Sequence, residues 1–128
     1  MTNFDMVEEF HVKFDCLRNS KPTMISKDIM ELRIALIEEE LDELREGIAN
    51  EDLVEIADAL TDLLYVIYGT GHSYGLPLDQ CFAEVHRSNM TKLGEDGKPM
   101  RRSDGKILKG VNYTPPNLKS IVDNGVPF

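Results

Sequence analysis

The sequence predicts an all-α fold, a bundle of four helices followed by an irregular C-terminal tail. Three observations carry this. Apolar residues recur at three- and four-residue intervals through most of residues 4–93. No stretch before Gly94 alternates in the manner of a strand. From Gly94 onward the helical period stops, and Asp96-Gly97, Asp104-Gly105 and Pro115-Pro116 follow. A chain of 128 residues fits one domain, 1–128, with a helical core at about 4–93 and an irregular basic tail at about 94–128.

The first helix is expected over Phe4–Leu17, where Val7, Phe10, Phe14 and Leu17 form one stripe. Asn19, Ser20 and Pro22 stop it. Ser26 is the expected N-cap of the second helix, with Asp28 at its positive end. Ile29, Leu32, Leu36, Leu41, Leu44 and Ile48 keep the period to Asn50, which is then free to cap the third helix. That helix carries Leu53, Ile56, Ala57, Leu60, Leu63, Leu64 and Ile67, widened by Tyr65, Val66 and Tyr68. So broad an apolar surface predicts burial on more than one side, as in a bundle interior or an oligomer interface. Gly69, Gly71 and Gly75 are expected to close the helix. Pro77 and Asp79 open a fourth, running to about Leu93 with Cys81, Phe82, Val85 and Met90 inward. In the tail, the two Asp-Gly pairs are turn dipeptides of the hairpin kind.

The net charge is −9, and it is unevenly spread. Residues 31–62 hold twelve acidic groups against Arg33 and Arg45, whereas 92–109 hold six basic groups against Glu95, Asp96 and Asp104. An acidic chain is a poor grip for a nucleic acid polymer. Two cysteines, Cys16 and Cys81, make neither a disulfide framework nor a cysteine zinc site. The N-terminus lacks a signal-peptide pattern, and no apolar run reaches the roughly 18 residues of a membrane span. A cytoplasmic setting is the expectation, that of a host if the chain is phage-encoded.

Residues three and four apart share a helix face. Glu39, Glu40 and Glu43 therefore cluster on the second helix. Glu55 and Asp58 cluster on the third, with Asp62 one turn further, either as an outer partner of the cluster or as a surface group. A short link favours antiparallel neighbours. Counted outward from about residue 49, Glu43 and Glu55 are expected at nearly one height. Crowded carboxylates repel unless neutralised. Hard oxygen ligands suit Mg²⁺ or Mn²⁺, and two or three such ions can bind a triphosphate and activate water for attack at phosphorus. A di-iron bundle would need Glu-x-x-His pairs, which the helices lack. Neither Asp96 nor Asp104 begins an EF-hand loop. The competing interpretation is a solvated charged face.

Glu40-Leu-Asp-Glu43 followed by Glu55-Ile-Ala-Asp58 resembles the paired motifs of the all-α nucleoside triphosphate pyrophosphohydrolases, the MazG-like superfamily. That superfamily includes dimeric dUTPases and phosphoribosyl-ATP pyrophosphohydrolase. Asp58-Ala-Leu-Thr-Asp-Leu-Leu-Tyr-Val-Ile-Tyr-Gly69 and Glu84-Val-His-Arg-Ser-Asn-Met-Thr-Lys92 are similar to its small, phage-type, single-domain members, and with Phe10-His11 the resemblance covers most of residues 4–118. The resemblance implies hydrolysis of (d)NTP to (d)NMP and pyrophosphate with Mg²⁺ or Mn²⁺. It implies Glu39, Glu40, Glu43, Glu55 and Asp58 as metal ligands, with Glu40, Glu43, Glu55 and Asp58 carrying catalysis. An alternative alignment puts Asp62 at the motif's Asp; Ala59 then replaces the motif's Glu, so the frame with Glu55 and Asp58 is preferred.

Asn89 and Lys92, at i and i+3, suit phosphate oxygens, a role the resemblance favours over an exposed helix end. Arg87 is a further phosphate candidate. His11, with Phe10 and Phe14, is either a base-pocket group or a core residue. The basic segment from Lys98 to Lys109 either folds over the triphosphate or a neighbouring subunit, or is a solvated linker. The expected enzyme is a homo-oligomer, a dimer or dimer of dimers, with a nucleoside triphosphate as substrate. Resemblance to the phage branch leans toward (d)GTP and dATP. The alternatives are a dUTP or dCTP pyrophosphatase of the same family, and a non-catalytic helical interaction module.

Overall fold

The structure, a computed structural model, describes all of residues 1–128. The elements are α1 (Asn3–Lys13), α2 (Lys27–Ala49), α3 (Leu53–Tyr74), α4 (Leu78–Met90), β1 (Met100–Arg101), β2 (Ile107–Leu108) and α5 (Lys119–Asn124). The all-α class is as the sequence predicts. The chain divides into two compact units, residues 1–77 with 125–128, and residues 78–124.

In the first unit α1 starts on a reciprocal cap: Thr2 Oγ1 accepts from the Asp5 N–H, and the Asp5 carboxylate accepts from the Thr2 N–H. The helix ends at Lys13 rather than the expected Leu17, because Asp15 adopts a φ of 55° and turns the chain. That turn leaves the Leu17 carbonyl free to accept from His11 Nδ1 (3.0 Å) and from Ser73 Oγ (3.1 Å). Ser26 caps α2 as expected, accepting from the Ile29 N–H.

The α2–α3 hairpin is where the sequence count and the structure part. Asp52, not Asn50, caps α3, its carboxylate accepting from the N–H groups of Val54 and Glu55 (3.1 Å each). Glu51 turns the link with a φ of 51°. Gly47 lets the two backbones approach: a Cβ there would lie 3.1 Å from Ile56 Cγ1. Further along, Arg33 Nε donates to Thr70 Oγ1 (3.1 Å) and Arg33 Nη2 to the Val66 carbonyl (2.8 Å). Gly47 opposite Ile56, and Arg33 opposite Thr70, place the pivot of the hairpin between residues 51 and 52 instead of at 49.

Contrary to expectation, α3 continues through Gly69 and Gly71 to Tyr74. Gly69 serves close packing: the side chains of Arg33 and His11 fill the space that a Cβ there would need. The helix stops at Gly75, in the left-handed region at φ 71°, where the Lys21 carbonyl also leaves no room for a side chain. Asn19 Nδ2 donates to the Ser73 carbonyl (2.7 Å), and the N–H groups of Asn19 and Thr23 donate to the carbonyls of His72 and Tyr74. The buried core is small: Phe4, Val7, Ala59 and Val126, with His11, His72 and Ser73 among them. Phe4 stacks on His72 at 3.7 Å. Much of α3 stays uncovered, with Leu53 80% and Val54 81% exposed and Leu60, Leu64 and Ile67 about half so.

The second unit is held by a polar clamp on α4. The Glu84 carboxylate accepts from Arg87 (2.7 and 3.0 Å) and from the Asn117 N–H (2.8 Å), and these bonds pull its pKa down to about 2. Ser88 Oγ donates to the Thr114 carbonyl, while Thr91 Oγ1 accepts from the Thr114 N–H. The tail thus carries a six-residue helix and a two-stranded antiparallel hairpin pairing Met100 with Leu108 and Arg101 with Ile107. Both Asp-Gly pairs make turns, with Gly97 at φ 75° and Gly105 at φ 90°. The strands are too short for periodicity to announce them. Helix α4 ends at Met90, and Thr91 and Lys92 lie in turns closed on the carbonyls of Ser88 and Asn89.

Candidate carboxylate site

With the pivot between 51 and 52, residues about one turn further along α3 come opposite α2 than a count from 49 expects. Glu55 thus lies near the hairpin link, half-buried in the first turn of α3, while Asp62 reaches the level of Glu40 and Glu43. The expectation that Glu43 and Glu55 share one height is corrected accordingly. Glu40, Glu43 and Asp62 each present a carboxylate oxygen, and these oxygens lie within 4.8 Å of one another. Asp58 adds its charge from the preceding turn of α3, and it raises the pKa of both Glu40 and Asp62. Glu39 is exposed on α2 beside this group.

Glu40 is the most perturbed member. Desolvation first, then Glu43, Asp62 and Asp58, push its carboxyl up to about 7. Its Oε2 is buried and meets no protein donor. Glu43 is the one group that can bond it, and only when the pair holds a proton. Asp62 is shifted upward as well, by burial first and then by Asp58 and Glu43. A buried lone pair without a donor, ringed by carboxylates, fits a hard divalent cation, which takes oxygen ligands and cancels the repulsion.

The other predicted residues divide between the units. His11 is buried on α1, with 3% of its surface exposed. Its Nδ1–H donates to the Leu17 carbonyl, and burial lowers its pKa, so the ring is neutral near pH 7. It lines an open cavity with Val12, Asp15, Arg18, Ile29 and Phe128. Phe10 and Phe14 stack on each other at 4.3 Å, and Phe10 meets Tyr65 edge-on; neither lines that cavity. In the second unit Arg87 spends its donors on Glu84, on Thr114 Oγ1 (2.7 Å) and on the Pro115 carbonyl, as an anchor for the tail. Asn89 is exposed and Lys92 half-buried.

Asp62 was legible as the next member of the acidic row and as the alternative to Asp58 at the motif's Asp; its level with Glu40 and Glu43 depends on where the hairpin pivots, which spacing alone does not give. Asp15 gave no signal, since its importance lies in a left-handed backbone that no periodicity reveals.

Comparison with known proteins gives three findings. The family model for phosphoribosyl-ATP pyrophosphohydrolase matches residues 7–89, from α1 almost to the end of α4. That match takes in every carboxylate above, His11, Arg87 and Asn89. The chain is 31% identical over 127 residues to an uncharacterized protein of Acanthamoeba polyphaga mimivirus. The aligned region covers 95% of this chain and 48% of that relative, so the chain spans about half the relative's length. It is also similar to the crystal structure of a candidate NTP pyrophosphohydrolase from Exiguobacterium sp. 255-15, with 28% identity and a TM-score of 0.48. That alignment covers 91% of this chain and 89% of the other.

Proposed function

The chain belongs to the phosphoribosyl-ATP pyrophosphohydrolase family, of the MazG-like superfamily, and from that premise we propose that it is a metal-dependent (d)NTP pyrophosphohydrolase. The reaction is (d)NTP + H₂O → (d)NMP + pyrophosphate. The observation that carries it is the convergence of Glu40, Glu43 and Asp62, with Asp58 alongside, on two antiparallel helices inside the region that the family model matches. Glu39, Glu40, Glu43, Glu55 and Asp58 are assigned to hold two or three Mg²⁺ or Mn²⁺ ions, with Asp62 as a further ligand or immediate neighbour. When bound, such ions neutralise the phosphates and supply an activated water. The protein's own part is to hold the carboxylates on two rigid helices and keep Glu40 partly dry. Exposed apolar side chains on α3 support a homodimer or larger homo-oligomer. No helix is long and apolar enough to cross a membrane, and the setting proposed for this activity is the cytoplasm.

Isotope incorporation tests the attack point. In ¹⁸O-labelled water the label is expected in the monophosphate, from attack at the α phosphorus. Label in pyrophosphate would place attack at the β phosphorus and overturn this chemistry. No release of pyrophosphate from any dNTP would favour the helical interaction module.

Lys92 is assigned to the phosphates, together with Asn89. Lys92→Ala is expected to lower kcat/KM by roughly ten- to hundredfold, the cost of removing one charge-assisted hydrogen bond from the transition state. Steady-state kinetics across a dNTP panel checks it, and the loss should be the same for each base. A loss confined to one base would move Lys92 out of the phosphate site.

A further inference from the structure

Resting on the metal reading of the carboxylates, we propose that Arg33 is a positioning residue of that site. Through Thr70 and Val66 it bolts α2 to α3 in the register that sets Asp62 against Glu40 and Glu43. All of these residues lie in the first unit.

Arg33 is a buried cation, 8% exposed, and no carboxylate pairs with it. Burial pulls its pKa below the ordinary arginine value. A charge taken out of water without a counterion destabilises the fold unless its donors are well met. Here they are met at one place on α3. Nε donates to Thr70 Oγ1 and Nη2 to the Val66 carbonyl, while Thr70 Oγ1 donates to that same carbonyl (2.8 Å), closing a triangle. A planar fork set on two acceptors one helical turn apart fixes both the height and the rotation of α3 against α2. Apart from the link between the helices, no other hydrogen bond joins α2 to α3.

The acceptors suit one register. Gly69 clears the way, since Arg33 Nη2 lies where a Cβ at Gly69 would stand. Were the hairpin to pivot at residue 49, Arg33 would stand opposite Tyr65, between Leu64 and Val66, where no glycine makes room. On the far side of the carboxylates, Gly47 meets Ile56 at close approach. Glu40, Glu43 and Asp62 therefore lie between two fixed crossings. From Arg33 to Glu40 is seven residues of α2, about 10 Å, and from Val66 to Asp62 four residues of α3, about 6 Å.

The site needs a bolt because its members push apart. Three carboxylates with oxygens within 4.8 Å repel across the gap between two helices, and Asp58 adds a fourth charge. Until a cation arrives, that repulsion acts to splay the hairpin or slide α3. A splayed hairpin would offer a cation fewer oxygens.

The test is a double-substitution cycle on the full chain, Thr70→Val with Asp62→Asn, with Arg33→Met and Arg33→Lys beside it. Thr70→Val keeps nearly the same shape and removes the acceptor, so it serves even if Arg33→Met fails to fold. Without metal, Asp62→Asn is expected to raise the Tm of the parent by about 2–4 °C, by relieving repulsion that the bolt holds in place. In the Thr70→Val background the gain should fall below about 1 °C, because the acids have already moved apart. Calorimetric titration with Mn²⁺, well below the lowest Tm, should show affinity lowered roughly tenfold in Thr70→Val, Arg33→Met and Arg33→Lys, the lower end for groups that orient metal ligands. Asp62→Asn should weaken Mn²⁺ binding less in Thr70→Val than in the parent. Charge alone predicts otherwise: deleting a cation about 10 Å away would tighten Mn²⁺ binding, and Arg33→Lys would leave it unchanged. Affinity kept or raised in these variants, whatever their Tm, overturns the proposal and leaves Arg33 a stabilising group alone. So does an Asp62→Asn effect on Tm that is equal in both backgrounds. If the parent binds no Mn²⁺, the metal reading fails on its own, and the metal-free cycle still decides the bolt.

Discussion

Glu43→Gln and Asp58→Asn are each expected to lower turnover of the best dNTP by at least ~10², because each removes a charged ligand from the metals. Both substitutions keep size and shape, so folding should survive. Without metal the variants should be as stable as the parent or more so, since each charge removed relieves repulsion around Glu40 and Asp62. Added Mn²⁺ should raise the Tm of the parent more than that of either variant, because only a cation bound to the folded state stabilises it. Asp62→Asn belongs in the same series. The converging oxygens predict a smaller Mn²⁺ shift in this variant too. If the acids formed only a solvated face, all four chains would respond to Mn²⁺ alike and turn over substrate alike. Melting curves with and without Mn²⁺, together with initial rates, separate the two cases.

Helix periodicity carried most of the fold. Ser26 and the apolar rows of α2 and α3 were legible because local spacing alone determines them. The errors arose where tertiary contact overrides local preference. Gly69 and Gly71 read as stops, yet they continue α3 because buried side chains need the room beside Gly69. Phe14 and Leu17 extended the first stripe on paper, but the turn at Asp15 ends the helix to supply the Leu17 carbonyl to His11 and Ser73. The acidic site was legible in composition and in face. Its register was not, since moving the pivot by two to three residues shifts the pairing by about five residues along α3, more than a full turn, and brings Asp62 rather than Glu55 to the level of Glu40 and Glu43. Arg87 shows the opposite limit: a cation near a phosphate motif looks free in sequence, whereas Glu84 and the tail engage it.

The raised pKa of Glu40 makes pH a lever on the site, and its two effects have opposite signs. In the metal-free chain the folded state holds the Glu40 proton up to about pH 7, whereas an ordinary glutamate releases it near 4.5. Between those values the folded state binds more protons than the unfolded one, so this group makes stability fall as pH rises and then level off above about 7. Metal binding runs the other way, because the cation needs Glu40 deprotonated and must displace its proton at lower pH. A single competing proton of pKa about 7 weakens Mn²⁺ binding by about a hundredfold between pH 8 and pH 5. The apo Tm and the Mn²⁺-induced gain in Tm should therefore move in opposite directions across this range. Glu40→Gln should flatten the apo trend, which assigns it to this side chain, and weaken Mn²⁺ binding at all pH values. Calorimetric titration with Mn²⁺ from pH 5 to pH 8, beside melting curves of both chains, measures the two slopes. An affinity independent of pH in the parent would mean that Glu40 does not have to lose a proton to bind the cation, and would remove it from the ligand set.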